Sequence, residues 1–146
     1  GRGREGRAWE DVAGRSLLLS VLLKPRVVGS ASPQLSVVAG LAVAESVDHI
    51  AGTEARLKWP NDVLVAERKV AGILLEATED AVICGIGVNV NHDESELPAG
   101  TRVPSGSLRV ATGREHDRAA LLVELLERFQ RRYAKTQAAQ QAAQKS

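Results

Sequence analysis

A chain of 146 residues that is 44% hydrophobic is long enough for one domain with a packed core, which excludes disorder as its principal state. Its net charge of +1 is too small to attract nucleic acid by bulk electrostatics, so any anion site must be local. A single cysteine, Cys84, excludes an internal disulfide and points to a reducing compartment; no charge-free apolar run approaches the roughly 18 residues of a membrane span.

The first nine residues, GRGREGRAW, alternate glycine with Arg2, Arg4 and Arg7 and close on Trp9. Glycine lets the backbone approach a ligand, and arginine offers a planar fork of donors for carboxylates and phosphates. The run reads either as a cationic loop over a small anionic ligand or as a basic arm that touches RNA or solvent. Methionine is absent throughout and the chain opens inside a motif, which reads as a segment of a longer open reading frame. The polar, basic start has no signal-peptide pattern.

Ser16 to Lys24 is an almost continuous apolar run ended by Pro25, the pattern of a strand buried on both faces, although periodicity alone leaves a helix open. Ser32-Pro33 is an N-cap followed by proline at the first helical position. Leu35, Val38, Ala42 and Val47 then recur at helical spacing up to about Ile50, with Gly40 allowing close packing and Gly52 as the stop. Arg56 to Trp59 reads as a short strand entering a Pro60-Asn61-Asp62 turn. Val63 to Ala66 and Lys69 to Ala77 flank Glu67-Arg68 as a tight hairpin, with a second turn at Thr78 to Asp80.

From Ala81 to Asn91 the pattern alternates. Val82, Cys84, Ile86, Val88 and Val90 face one way, and Ile83, Gly85, Gly87, Asn89 and Asn91 the other. His92 to Ser107 is a polar loop. Asp117 caps a second helix whose stripe is Leu121, Leu125, Phe129 and Tyr133, with Arg128, Arg131 and Arg132 on its opposite side. The Gln/Ala-rich stretch from Gln137 to Ser146 extends that helix or frays. This order of elements predicts an α+β domain with helices on one face of a mixed, largely antiparallel sheet. A Rossmann fold and a P-loop are disfavoured, since neither glycine signature occurs in its required setting.

Three further segments carry chemistry: KWPND (Lys58 to Asp62), KVAGILLE (Lys69 to Glu76) and GIGVNVN (Gly85 to Asn91). Taken alone, Lys58 reads equally as a solvated strand end, and Lys69 as hairpin chemistry. Gly85 and Gly87 inside one strand are less ordinary, because interior glycines weaken strands; sharing a face with Asn89, they describe a flat surface for a ligand with an amide at its rim. Cys84 lies on the apolar face and reads as a small buried hydrophobe.

In this order and spacing, the four motifs resemble the catalytic domain of biotin protein ligases of the BirA type, whose fold is similar to that of class II aminoacyl-tRNA synthetases. The resemblance runs from Gly1 to about Tyr133. It implies an enzyme that activates biotin with ATP and Mg2+ as biotinyl-AMP and passes biotin to a lysine of a biotin carboxyl carrier protein. Arg2, Gly3 and Arg4 match the loop that orders over biotin and its adenylate, and Trp9 matches the adenine site. Lys58, Asn61 and Asp62 match residues at the triphosphate, with Asp62 on the metal. Lys69 matches the lysine at the biotin carboxylate and α-phosphate, Gly72 a residue of the biotin pocket, and Asn89 an asparagine near the nucleotide phosphates. Lys69, Arg4 and Lys58 are thereby the expected catalytic cations.

Residues 1–136 are expected to be a partial, truncated catalytic domain and 137–146 a polar tail. A Ser/Thr-Asn segment and a glutamine that precede the loop in the family, its small C-terminal barrel and its DNA-binding helix-turn-helix all lie outside this sequence. A cytoplasmic location, no membrane partner and a possible homodimer complete the expectation. The alternatives are a non-catalytic ligand- or partner-binding fragment of such a ligase and a lipoate or octanoyl transferase relative. An RNA-binding module is disfavoured by the 3% aromatic content.

Overall fold

The computed structural model describes residues 12–25 and 32–145. Five strands and three helices follow in the order β1 (Ser16–Leu23), α1 (Ser32–Ala51), β2 (Arg56–Lys58), β3 (Asp62–Val65), β4 (Arg68–Ala77), β5 (Val82–Asn89), α2 (Leu108–Thr112) and α3 (Arg118–Gln144). The strands form one sheet in the order β1-β5-β4-β3-β2, and every neighbouring pair is antiparallel. Strands β2 to β5 are a meander, and β1 returns to pair with the last of them. No helix among the described residues is long and apolar enough to cross a membrane.

Local chemistry accounts for the elements. In α1 the buried residues Leu35, Val38, Ala39, Ala42, Val43 and Val47 make one stripe at helical spacing. Gly40 lets β2 approach, since a Cβ there would stand 3.2 Å from Leu57 Cδ2. Gly52 ends the helix at φ +71°, its N–H donating to the Asp48 carbonyl at 2.9 Å. Asp117 caps α3 by accepting from the Ala120 N–H at 3.1 Å. Leu121, Leu125 and Phe129 then bury against α1 and beside β1, in one core cluster with Cys84, Ile86 and Val88 of β5, so both long helices lie on one face of the sheet. The α+β architecture expected from the pattern is the one observed.

Four expectations are corrected. First, β1 is buried on one face only: Leu18 is 44% and Leu22 63% exposed. It is an edge strand whose second face no helix among the described residues covers, so its continuous apolar pattern overstated its burial. Second, the hairpin turn is Ala66-Glu67, one residue earlier than Glu67-Arg68, with φ of +50° and +64°. Positive φ at both positions suits the twist of a two-residue hairpin, and Arg56 steadies it by pairing with Glu67 at 2.9 Å.

Third, Arg128 and Arg132 do not point away from the core. Both reach Glu45 on α1, at 3.7 and 2.5 Å, and Arg132 holds the Glu45 carboxyl below its ordinary range. Fourth, the polar stretch after β5 contains a 3-10 turn at Glu94–Glu96 and is followed by the short helix α2. Its signals were local, a Ser107 cap accepting from the Val110 N–H at 3.0 Å and a Gly113 stop at φ +78°. The Gln/Ala stretch prolongs α3 without a break as far as Gln144.

Candidate functional site

Opposed residues in neighbouring strands share a face, so the register places the motifs. Lys58 opposes Asp62, Asp62 opposes Gly72, Gly72 opposes Gly87, and Gly87 opposes Leu18. One row therefore crosses all five strands on the face away from the helices. The next row sets Ser20, Gly85 and Leu74 side by side. Glycines at 72, 85 and 87 leave the middle of that face without side chains, a floor bounded by charge at the β2–β3 end. At Gly85 the protein itself does not require glycine. An added Cβ would meet the Leu74 carbonyl oxygen at 3.5 Å and the Leu74 Cβ at 4.0 Å, both ordinary contacts. The space above it is what the missing side chain preserves.

Lys69 reaches this face through an irregularity. Strict alternation along β4 would put it with Ala71 and Ile73, which are buried beneath α1. The register shifts between Val63 and Leu64, where Val63 opposes Ala71 but Leu64 opposes Lys69, and Val70 is left as a bulge. A bulge re-aims the neighbouring side chain. The Lys69 ammonium accordingly meets the Asp62 carboxylate at 3.0 Å, both partly buried.

The two asparagines of the expected set hold main chain. Asn61 Nδ2 donates to the Ile73 carbonyl at 2.8 Å, while the Ile73 N–H donates to the Asn61 carbonyl at 2.9 Å. The KWPND turn is thus clipped to β4 beside Gly72, leaving Trp59 66% exposed. Asn89 opposes Ser16 and is buried; its Nδ2 donates to the Gly106 carbonyl at 3.0 Å. A strap at 104–107 therefore crosses the rim of the floor, and sequence reasoning missed it because its Pro-Ser-Gly-Ser chemistry reads as ordinary loop.

Of the expected residues, the structure brings Lys58, Asp62, Lys69 and Gly72 onto one row or its border, with Asn89 at the rim. Arg2, Gly3, Arg4 and Trp9 lie outside the described residues. Cys84 is on the helix side; burial pushes its thiol up to about 12, which removes it as a nucleophile. Among the described residues no three His, Cys, Asp or Glu side chains cluster to hold a metal by themselves. A cavity of about 100 Å³, far below the size of ordinary ligand pockets, lies between Gly40 of α1, Leu57 and Ile73 and is closed by the whole Lys58 to Asp62 segment, so the KWPND turn borders the helix side of the sheet as well as the glycine face. The glycine face offers instead a floor without side chains of its own at positions 72, 85 and 87 and an ammonium–carboxylate pair at its edge, able to seat a small molecule by its flat part and an anionic group by its end.

Comparison with known proteins places this geometry. The profile of the Biotin/lipoate A/B protein ligase family matches residues 1–93. The bifunctional ligase/repressor BirA of Bacillus subtilis is 38% identical over 138 residues, covering 91% of this chain and 42% of that protein. The biotin–[acetyl-CoA-carboxylase] ligase of Mycobacterium tuberculosis is 44% identical over 103 residues, 66% of this chain and 38% of that protein. Among solved structures, the biotin protein ligase of Aquifex aeolicus in complex with biotin and ATP superposes with a TM-score of 0.85 at 38% identity, covering 94% of this chain and 58% of that one. The chain spans less than half the length of these two curated relatives.

Proposed function

Because the chain belongs to the biotin/lipoate A/B protein ligase family, we propose that it forms the catalytic core of an ATP-dependent biotin–protein ligase acting in the cytoplasm. The observation that carries this reading is the bulge that brings Lys69 beside Asp62 at the edge of the glycine floor. In the first step a carboxylate oxygen of biotin attacks the α-phosphorus of ATP, giving biotinyl-AMP and pyrophosphate. Two anions must meet, so the barrier is largely electrostatic. Lys69 contacts the carboxylate and the α-phosphate, and Lys58, across the row from Asp62, faces the polyphosphate. Gly72 lines the biotin pocket. Asn61 and Asn89 shape the nucleotide side by fixing the segments that border it, Trp9 takes the adenine, and Arg2, Gly3 and Arg4 cover the adenylate.

A single carboxylate fits Mg2+, which keeps several waters and completes its shell with substrate phosphates; Asp62 would hold it. Bound there, the ion disperses charge on the phosphate oxygens. In the second step the amine of a carrier-protein lysine attacks the acyl carbon and AMP leaves, which demands positioning and no protein nucleophile. Residues 1–136 carry this chemistry and 137–146 are a Gln/Ala-rich polar tail. The partners are biotin and the biotin carboxyl carrier protein of a carboxylase, with a second copy of the chain as a further partner; the proposal concerns ligation and not repression.

The test is pyrophosphate release by the chain with biotin, ATP and Mg2+, beside Lys69→Ala. Biotin-dependent release that falls by about 100-fold or more in the variant supports the reading. Release indifferent to biotin or to Lys69 overturns it, and equal release with lipoate would assign the lipoate branch of the family. A folded but inert chain that still binds biotinyl-AMP would be a binding fragment of such a ligase.

A further inference from the structure

A bulge disturbs the strand that carries Lys69, so regular strand pairing alone does not hold the lysine at the site. The regular pairing of β4 with β5 begins at Ala71, opposite Val88. On that side, Lys69 is paired instead with the 104–107 strap. Its N–H donates to the Pro104 carbonyl at 2.8 Å and its carbonyl accepts from the Gly106 N–H at 2.8 Å, a parallel bridge centred on Ser105. The Gly106 carbonyl also accepts from Asn89 Nδ2 at 3.0 Å, so one residue ties the lysine's main chain to the asparagine at the rim.

Glycine is required at position 106 by closeness. A Cβ there would stand 2.8 Å from the Arg68 Cβ and 3.5 Å from a Val70 methyl, and the first distance is too short for any real contact. Arg68 then clamps the strap from outside. Its Nε donates to the Ser105 carbonyl at 2.8 Å, while Nη1 and Nη2 grip the two Glu94 oxygens at 2.8 and 2.6 Å. This planar two-point grip is the strong form of a charge-assisted hydrogen bond, and it holds the Glu94 carboxyl below its ordinary range. The strap has no helix or extended strand of its own to hold it in place.

We propose that the 104–107 strap positions the Lys69 ammonium, with Gly106 as the contact that sets its direction and the Arg68–Glu94 fork as the lock that keeps the strap seated. Gly106, Arg68 and Glu94 are positioning residues. They act by fixing the backbone of Lys69, whose Cα–Cβ direction at a bulge decides whether the side chain meets Asp62 or swings away. The proposal rests on the assignment of Lys69 to the site, but its test reads the lysine itself and needs no turnover.

The experiment is competitive labelling of the native full chain with a trace amine-reactive reagent, read by mass spectrometry as the ratio of Lys69 to the exposed Lys24. Asp62→Asn, which removes the ion-pair partner, sets the ceiling. Gly106→Ala should raise the ratio by about fivefold, the upper end of what loss of an exposed ion pair is worth. Arg68→Ala and Glu94→Gln, both changes to a surface fork, should each raise it by about twofold or more. A Gly106→Ala chain that keeps its circular dichroism and leaves the ratio unchanged overturns the proposal. If that variant does not fold, an unchanged ratio in Arg68→Ala overturns it instead. A simple loss of stability would lower the melting temperature without moving Lys69 relative to Lys24. Failure of Lys69→Ala to affect pyrophosphate release would sink the enzymatic role while leaving the labelling result intact.

Discussion

Replacing Gly85 with alanine should move stability and ligand binding in opposite directions. In the folded chain the new methyl would sit in ordinary contact with Leu74, 3.5 Å from its carbonyl oxygen and 4.0 Å from its Cβ, with no clash to relieve. The negative φ needed for a strand suits alanine, and glycine inside a strand is less stable than alanine by roughly 0.5–1 kcal/mol because the unfolded chain is freer. Thermal melting should therefore show an unchanged or raised midpoint, by up to about 3–5 °C for a chain of this size.

A ligand on the floor would meet that methyl where residue 85 now has no side chain. Forcing an extra carbon into a close-packed contact costs about 1–3 kcal/mol, or roughly 5- to 150-fold in affinity. Isothermal titration of biotin or biotinyl-AMP, run beside the melt, measures both effects on the same sample. A lowered melting temperature would mean that Gly85 serves packing, and undiminished affinity would mean that the ligand does not lie on the glycine floor. Either result refutes the reasoning.

Ala66→Asn should stabilise the chain by about 0.5–1 kcal/mol in denaturant titration, because asparagine tolerates the positive φ of the hairpin turn better than alanine. Asn91→Ala should cost about 2–3 kcal/mol by the same assay: its buried amide donates to the His116 carbonyl and accepts from the His116 N–H, both at 2.9 Å. Burial, and then the charge of Arg114, hold His116 below its ordinary value of 6.5. The folded state thus disfavours the imidazolium, so this group's contribution is full above that value. It is lost as pH falls from 6.5 through the lower folded value, where the unfolded chain binds the extra proton. His116→Gln should flatten the stability profile in that window, and a slope identical to that of the parent would contradict the assignment.

Elements whose signals are local were legible in the residues themselves. The Pro33 and Gly52 boundaries of α1, the Asp117 cap of α3 and the two-sided alternation of β5 all depend on chemistry within a few positions, as does the inference that Cys84 is core. The motif set pointed to a family for the same reason, since its order along the chain is itself sequence. What depends on non-local pairing was not legible. Periodicity cannot say that β1 lies at an edge and leaves Leu22 exposed, or that Arg132 reaches across to Glu45. Nor can it show that Lys58, Asp62, Gly72 and Gly87 come from four different strands into one row. A shift of one residue in pairing turns a strand's side chains to the other face, and the sequence of one strand does not name its partner's register. The strap across Asn89 and the bulge that turns Lys69 outward belong to this second class, because they exist only where three separated segments meet.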